Sequence, residues 1–328
     1  MSELDLILQI SRKLFSAEKV LIMTHRRPDG DALGSTFGLR NCLRSHGIAA
    51  EVLLPDGIPP RYSSLCDGYL TAVSDEELAG FDLFAALDCA NSERLGTGEN
   101  FSVETLRQRN FISIDHHKGN SLNAPLEWID PSACSASFMT ASLLLKSSRE
   151  FDRSSATMFM TGIMTDTGSF CFDNTDAAAF QVAAELMVRG AEVGRIANAI
   201  FFSKPLHQLR FEAELIETRF RFSCDGRFAY AFVPEELMKK HNFDMREDEG
   251  LIDLLRGIDG VVIAMLSHRR PDGFRISFRS KDPAFPVGPL ARKLGGGGHD
   301  MAAGATVQAT DFSEVEKMIC AEIGQLLG

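Results

Sequence analysis

The sequence predicts an α/β protein of two domains: an N-terminal, mostly parallel sheet flanked by helices, and a smaller C-terminal α/β domain, with a cleft between them. Three observations predict it. Short apolar runs, Val20–Met23, Ala49–Leu54, Leu83–Leu87 and Phe111–Ile114, alternate with stretches of helical periodicity, the signature of βαβ units. At 328 residues the chain exceeds the ~250–300 at which single cores stop growing. The pattern then changes: Phe228–Val233, Val261–Leu266 and Phe274–Phe278 read as strands, with helices between and after them. The expected division is 1–200, a helical linker 201–220, and 221–328.

Taken in order, Leu4, Ile7, Leu8, Leu14 and Phe15 follow helical spacing, and Ser2 with Asp5 can cap the start. Val20–Met23 is the first core strand. A helix from Ala32 to His46 follows the loop 24–31 and ends at Gly47. Ala49–Leu54 is the second strand, stopped by Pro55-Asp56-Gly57. The runs ending at Leu87 and Ile114 are fully apolar, as strands buried on both faces must be. Helices are expected from Ser135 to Lys146, Ser154 to Thr165, and Asp176 to Arg189, the last closed by Gly190. In the second domain, Gly295-Gly296-Gly297-Gly298-His299 interrupts the pattern. The final helix starts near Asp311, with Phe312, Val315, Ile319, Ile323 and Leu326 as its buried stripe.

Composition narrows the class. The formal charge is −11, and basic pairs such as Arg26-Arg27 are local, so no long nucleic acid is expected as partner. No apolar run reaches the ~20 residues that span a bilayer, and the acidic N-terminus lacks a signal peptide's basic start. A cytoplasmic protein without a membrane partner is expected. Seven scattered cysteines, never spaced Cys-x-x-Cys, argue against a disulfide framework or a thiolate zinc site. Cys89 reads as a buried small apolar residue rather than a soft ligand.

Ionisable residues gather where apolar strands stop, which is where open α/β sheets place their ligand crevice. Asp115-His116-His117 closes one run, Asp88 another, and His25-Arg26-Arg27-Pro28-Asp29-Gly30-Asp31 follows a third. Asp166 follows a helix. Singly, each has an ordinary reading. Asp29 can cap a helix, Asp88 can start a turn, His116 can be a core histidine bonded to a carbonyl, and Asp166 can sit in a polar turn. Together they point to one metal site assembled from several strand ends or loops.

These phrases resemble a known family. His25-x-x-Pro28-Asp29-Gly30-Asp31, Leu87-Asp88, Asp115-His116-His117 and Gly162-Ile163-Met164-Thr165-Asp166-Thr167-Gly168 are similar to motifs one to four of the DHH phosphoesterases. The glycine run with His299 resembles the signature of the DHHA1 domain. The length is most like the nanoRNase/pAp phosphatase group, and RecJ nucleases of the family usually carry more sequence. The resemblance implies two divalent cations, Mn²⁺ before Mg²⁺, since mixed carboxylate and imidazole ligands suit Mn²⁺. It places one on His25, Asp29 and Asp88, and the other on Asp31, Asp88, His116 and Asp166, with Asp88 bridging. Asp115 would orient a ligand imidazole through its ring N–H. His117 would donate to the substrate phosphate. Arg279, Ser280, Gly296, Gly297, Gly298 and His299 would bind substrate.

The implied activity is two-metal hydrolysis of very short RNA to mononucleotides, and of 3′-phosphoadenosine 5′-phosphate (pAp) to AMP, with no covalent protein intermediate. The rival within the class is a phosphodiesterase for cyclic di-AMP or pApA. Inorganic pyrophosphatase fits less well, because relatives with that activity lack the glycine-histidine signature. From another class, a non-catalytic nucleotide or RNA-binding module would be expected to lack one or more of the ligands. Partners are thus short RNA or small phosphorylated nucleotides, and a homodimer is the default assembly.

Overall fold

The computed structural model describes residues 2–98, 101–245 and 250–328. They form two compact units, Met1–Ser203 and Lys204–Gly328. In the first, α1 (Glu3–Phe15) leads to β1 (Lys19–Met23), α2 (Gly30–Ser45), β2 (Ala49–Leu53), α3 (Asp75–Ala79) and β3 (Leu83–Leu87). Then come α4 (Val103–Arg107), β4 (Phe111–Asp115), β5 (Leu126–Ile129), α5 (Ala136–Lys146), α6 (Arg153–Asp166), α7 (Ala177–Val188) and α8 (Val193–Ile200).

The five strands pair in parallel, in the order β2-β1-β3-β4-β5. Winding reverses between β1 and β3, so the crevice of this doubly wound sheet opens at their carboxyl ends. Register keeps those ends level: Met23 lies beside Leu53 and Ala86, and Leu87 beside Ile114. Strand residues alternate between two cores. Val20, Ile22, Ile112 and Ile114 pack against one set of helices, and Leu21, Met23, Phe84 and Phe111 against the other. That is why these runs are apolar without interruption. Ser2 and Asp5 form the expected capping box on α1.

The second unit runs α9 (Leu206–Arg219), β6 (Arg221–Ser223), β7 (Phe228–Val233), α10 (Glu235–His241), α11 (Leu251–Arg256), β8 (Ile263–Arg270) and β9 (Gly273–Ser280). It ends with α12 (Gly288–Lys293), β10 (Gly297–Gly298), β11 (Ala302–Val307) and α13 (Phe312–Leu327). Its sheet has the order β10-β11-β9-β8-β7-β6, antiparallel except for β7 with β8. Val315, Ile319 and Ile323 of α13 are buried as expected, with Leu327 rather than Leu326 completing the stripe. The stretch expected as a linker divides. Residues 201–205 are not helical, and α9 belongs to the second unit's core through Phe211 and Leu215. Among the described residues no helix is long and apolar enough to cross a membrane.

Candidate metal centre

The first unit assembles the site on three neighbouring strand ends and two helix ends. His25 lies two residues past β1, Asp88 directly past β3, and His116 directly past β4. Asp88 takes the left-handed backbone conformation (φ +54°), which Asp tolerates better than most residues. Its N–H donates to Ile114 O (3.0 Å). Asp29 does two things at once. Its Oδ1 accepts from the amides of Asp31 and Ala32 as the cap of α2, while Oδ2 lies 3.7 Å from His25 Nε2. Asp31 accepts the first two amides of α5, from Ala136 (2.6 Å) and Ser137 (2.8 Å). Asp166 is the last residue of α6 rather than a loop residue.

What brings Asp31 and Asp166 together is a row of glycines on α2. Gly30, Gly34 and Gly38 recur every four residues and meet Thr165, Gly162 and Phe159 of α6 so closely that a Cβ at any of them would fall within 2.4–2.6 Å of its neighbour. Glycine alone permits such backbone approach. The four-residue spacing of Gly30, Gly34 and Gly38 is the signal in the sequence that points to this close approach.

Both buried imidazoles are aimed by their far nitrogen. His25 Nδ1 bonds Arg26 O (2.9 Å), and His116 Nδ1 bonds Ala133 O (3.2 Å). A proton on Nδ1 leaves the Nε2 lone pair turned to the carboxylates, as on a ligand histidine. His25 Nε2 stands 3.5 Å from Asp88 Oδ2. His116 Nε2 stands 3.5 Å from Asp88 Oδ1, 3.6 Å from Asp166 and 3.8 Å from Asp31. These separations exceed good hydrogen bonds and are those of donors grouped about a common centre. Asp88 Oδ1 is buried without a hydrogen-bond partner, an expensive state for a carboxylate oxygen. His25, Asp29 and Asp88 could hold one cation, and Asp31, His116 and Asp166 a second beside the other oxygen of Asp88. The hard and borderline donors, without thiolate, fit divalent cations of the Mg²⁺ and Mn²⁺ kind.

Electrostatics point the same way. Burial raises the Asp31 carboxyl well above its usual range, reinforced by Asp88 and Asp166. Burial likewise raises Asp166 to about 7, against the pull of His116. Burial opposes charge on His25, yet Asp29 and Asp88 hold it up at about 10. Crowded carboxylates thus retain protons where cations would otherwise sit. Proton and metal must compete, so affinity for divalent cations should rise with pH, up to about tenfold per unit for each proton displaced: for Asp166 below about pH 7, and for His25 below about pH 10. Calorimetric titration of Mn²⁺ in two buffers of different ionisation heat would count those protons. Binding without proton release would contradict this account.

Asp115 differs from the expected orienter of a ligand imidazole. It is fully buried, and its Oδ1 accepts the ring Nδ1–H of His117 (2.7 Å) and the backbone N–H of His116 (2.9 Å). It therefore orients His117, not the imidazole of His116, which the Ala133 carbonyl holds. Cys89 is buried, its thiol pushed up to about 12 by burial, as fits an inert core residue.

Residues 19–163 match the DHH family, N-terminal domain, and residues 225–325 match the DHHA1 domain. A curated relative, the bifunctional oligoribonuclease and PAP phosphatase of Thermus thermophilus, is 31% identical over 92% of this chain and 87% of its own. The chain belongs to the DHH/DHHA1 family. The Bacillus subtilis protein of the same name is 28% identical over 93% of this chain and 95% of its own. Among solved structures, an exopolyphosphatase-related protein from Bacteroides fragilis superposes with a TM-score of 0.83 at 21% identity, covering 100% and 99% of the two chains. RecJ from Thermus thermophilus, in complex with Mn²⁺, gives 0.58 at 13% identity over 98% of this chain and 54% of that one. Both likenesses concern the fold.

The DHHA1 unit treats its expected substrate residues differently from one another. Arg279 is half-buried on β9, beside Ala302 of β11, and Ala302 pairs with His299 across a tight hairpin. Arg279, Ala302 and His299 thus share one row of the sheet. Ser280 is buried, and its hydroxyl donates to Asp282 O and accepts from Asp282 N, so it serves its own turn. The glycine run is not a loose loop. Gly297 and Gly298 form β10 at the sheet edge, and a Cβ on Gly296 would lie 2.1 Å from Gly304 O.

Proposed function

We propose that this DHH/DHHA1 phosphoesterase hydrolyses very short oligoribonucleotides to mononucleotides and dephosphorylates pAp to AMP, using two divalent cations, Mn²⁺ by preference. The observation that carries the reading is Asp88: one buried carboxylate facing His25 through one oxygen and His116 through the other, the second oxygen without a hydrogen-bond donor. That arrangement, in a family whose curated relatives bear the names given above, supports hydrolysis at phosphorus over mere binding.

When bound, the cations would supply Lewis acidity, acidifying water and offsetting charge on the phosphoryl oxygens. The chain's own residues set the rest. Asp29, Asp31 and Asp166 provide the remaining negative charge, and helix caps hold two of them rigid. Asp115 fixes the His117 ring and raises its proton affinity despite burial, so its second ring nitrogen is suited to donate to a phosphoryl oxygen. Arg279 and His299 are the groups of the second unit suited to grip a terminal phosphate.

A substrate panel with and without Mn²⁺ tests the reading: RNA dinucleotides and trinucleotides, pAp, pApA, cyclic di-AMP and pyrophosphate. Metal-dependent turnover of the short RNAs and pAp is expected. Turnover confined to cyclic di-AMP and pApA would overturn the substrate assignment. A protein that binds Mn²⁺ and turns over none of them would overturn the enzymatic one.

A further inference from the structure

We propose that Asn120 is a positioning residue for His117, acting through Asp115. The inference rests on the reading of His117 as the donor to substrate. Asp115 is a fully buried carboxylate, and such a group must find donors for both oxygens. His116 and His117 serve Oδ1. Asn120 serves Oδ2, through its Nδ2 at 2.6 Å.

The amide of Asn120 is itself committed on every side. Nδ2 also donates to Cys89 O (3.0 Å), and Oδ1 accepts the N–H of Leu122 (3.0 Å). Reversing the amide would set oxygen against two acceptors and nitrogen against a donor, so its orientation is determined. Next to it, Ser121 N donates to Ala90 O (2.7 Å). Asn120 therefore ties the loop after β4 to the loop after β3, one residue beyond Asp88, and locks the Asp115 carboxylate in plane. With that plane fixed, the hydrogen bond from His117 Nδ1 to Asp115 Oδ1 has a defined direction. Without Asn120, Oδ2 would lose this donor, and the Asp115 carboxylate could turn and release His117. Asn120 bonds Asp115, Cys89 and Leu122 rather than the six carboxylate and imidazole groups placed around the cations. The chain of contacts reaches those groups at its far end, where His117 Nδ1 lies 3.5 Å from Asp88 Oδ1 and its ring meets that of His116, so metal content should follow Asn120 far less than turnover does.

The test uses full-length Asn120→Ala and Asn120→Ser with the substrate that the unmodified protein hydrolyses fastest. A loss of kcat of about 10–100-fold is expected. KM and Mn²⁺ stoichiometry should stay within about threefold of the unmodified protein. Adding Asn120→Ala to His117→Ala should cost nothing further, because the two act as a unit. Losses that add in the double variant, or an unchanged kcat in both single variants, would overturn the proposal. A second readout is independent of turnover: the hydrogen-bonded Nδ1 proton of His117, followed by NMR in the metal-free protein. It should move or broaden in Asn120→Ala. An unmoved resonance rejects Asn120's role even where no substrate is found, whereas absent turnover with a shifted resonance rejects the functional reading instead.

Discussion

Asp88→Ala should lose hydrolysis by a thousandfold or more, about 4 kcal/mol of transition-state stabilisation, while keeping its fold. Among the described residues Asp88 is the one carboxylate lying 3.5 Å from both His25 Nε2 and His116 Nε2. Its removal leaves His25 with Asp29, too few donors for a tight site, and Asp31, His116 and Asp166 with a weakened one. Bound Mn²⁺ should fall from two ions per chain to one at most. The fold should tolerate the change for particular reasons. The Asp88 amide that bonds Ile114 O is kept. The carboxylate oxygen facing His116 makes no hydrogen bond to lose. The imidazoles, deprived of their counter-charge, can relax toward neutrality, which burial favours. The cost that remains is a left-handed residue other than Asp, about 1–2 kcal/mol. Elemental analysis, turnover and a melting curve in chelator separate these effects. Near-normal hydrolysis by metal-replete Asp88→Ala would end the bridging assignment.

The residues of this site were legible because chemistry and position coincide. Parallel strands buried on both faces must be apolar, so a charged residue directly after Leu87 or within two residues of Met23 marks a strand end without further information. The ordinary reading of Asp29 as a helix cap was also right, since its two oxygens do different work. Elements held by context rather than pattern were not legible. β5 has four residues, one of them Glu127, and is a strand because β4 lies beside it. β11 reads Ala-Ala-Gly-Ala-Thr-Val, a weak strand by propensity, and exists because small residues let β10 and β9 approach on either side. The imidazole that Asp115 orients is not legible in the sequence, for a geometric reason. Sequence adjacency offers His116 and His117 equally, whereas in the structure the Ala133 carbonyl holds His116 Nδ1 and Asp115 takes His117 Nδ1.

Gly162→Ala should damage both stability and turnover without altering a charged residue. In an unconstrained helix the change would gain up to about 1 kcal/mol from propensity. Here the added Cβ would lie 1.9 Å from Ser137 Oγ and 2.6 Å from both Asp31 Oδ1 and Ser137 Cβ, and rotating the serine would move its Oγ but not its Cβ. The serine could rotate, although Gly34 packs against it from the other side. Asp31 cannot yield cheaply, because the amides of Ala136 and Ser137 hold both its oxygens. Either α6 moves off α2, or the Asp31 carboxylate leaves the His116 side of the site. Overpacking of this kind costs roughly 1–3 kcal/mol, which outweighs the helical gain. A displacement near 1 Å at a reacting centre costs on the order of 100-fold in turnover. Adding Ser137→Ala removes the shortest clash but leaves the 2.6 Å contacts with Asp31 Oδ1 and with the Cβ at position 137. It should therefore restore part of the melting temperature and little of the activity. Gly194→Ala on α8, where the new methyl meets open space, serves as the control and should be neutral or slightly stabilising. Recovery of stability and turnover together in the double variant would show that Ser137, not the placement of Asp31, is what Gly162 protects.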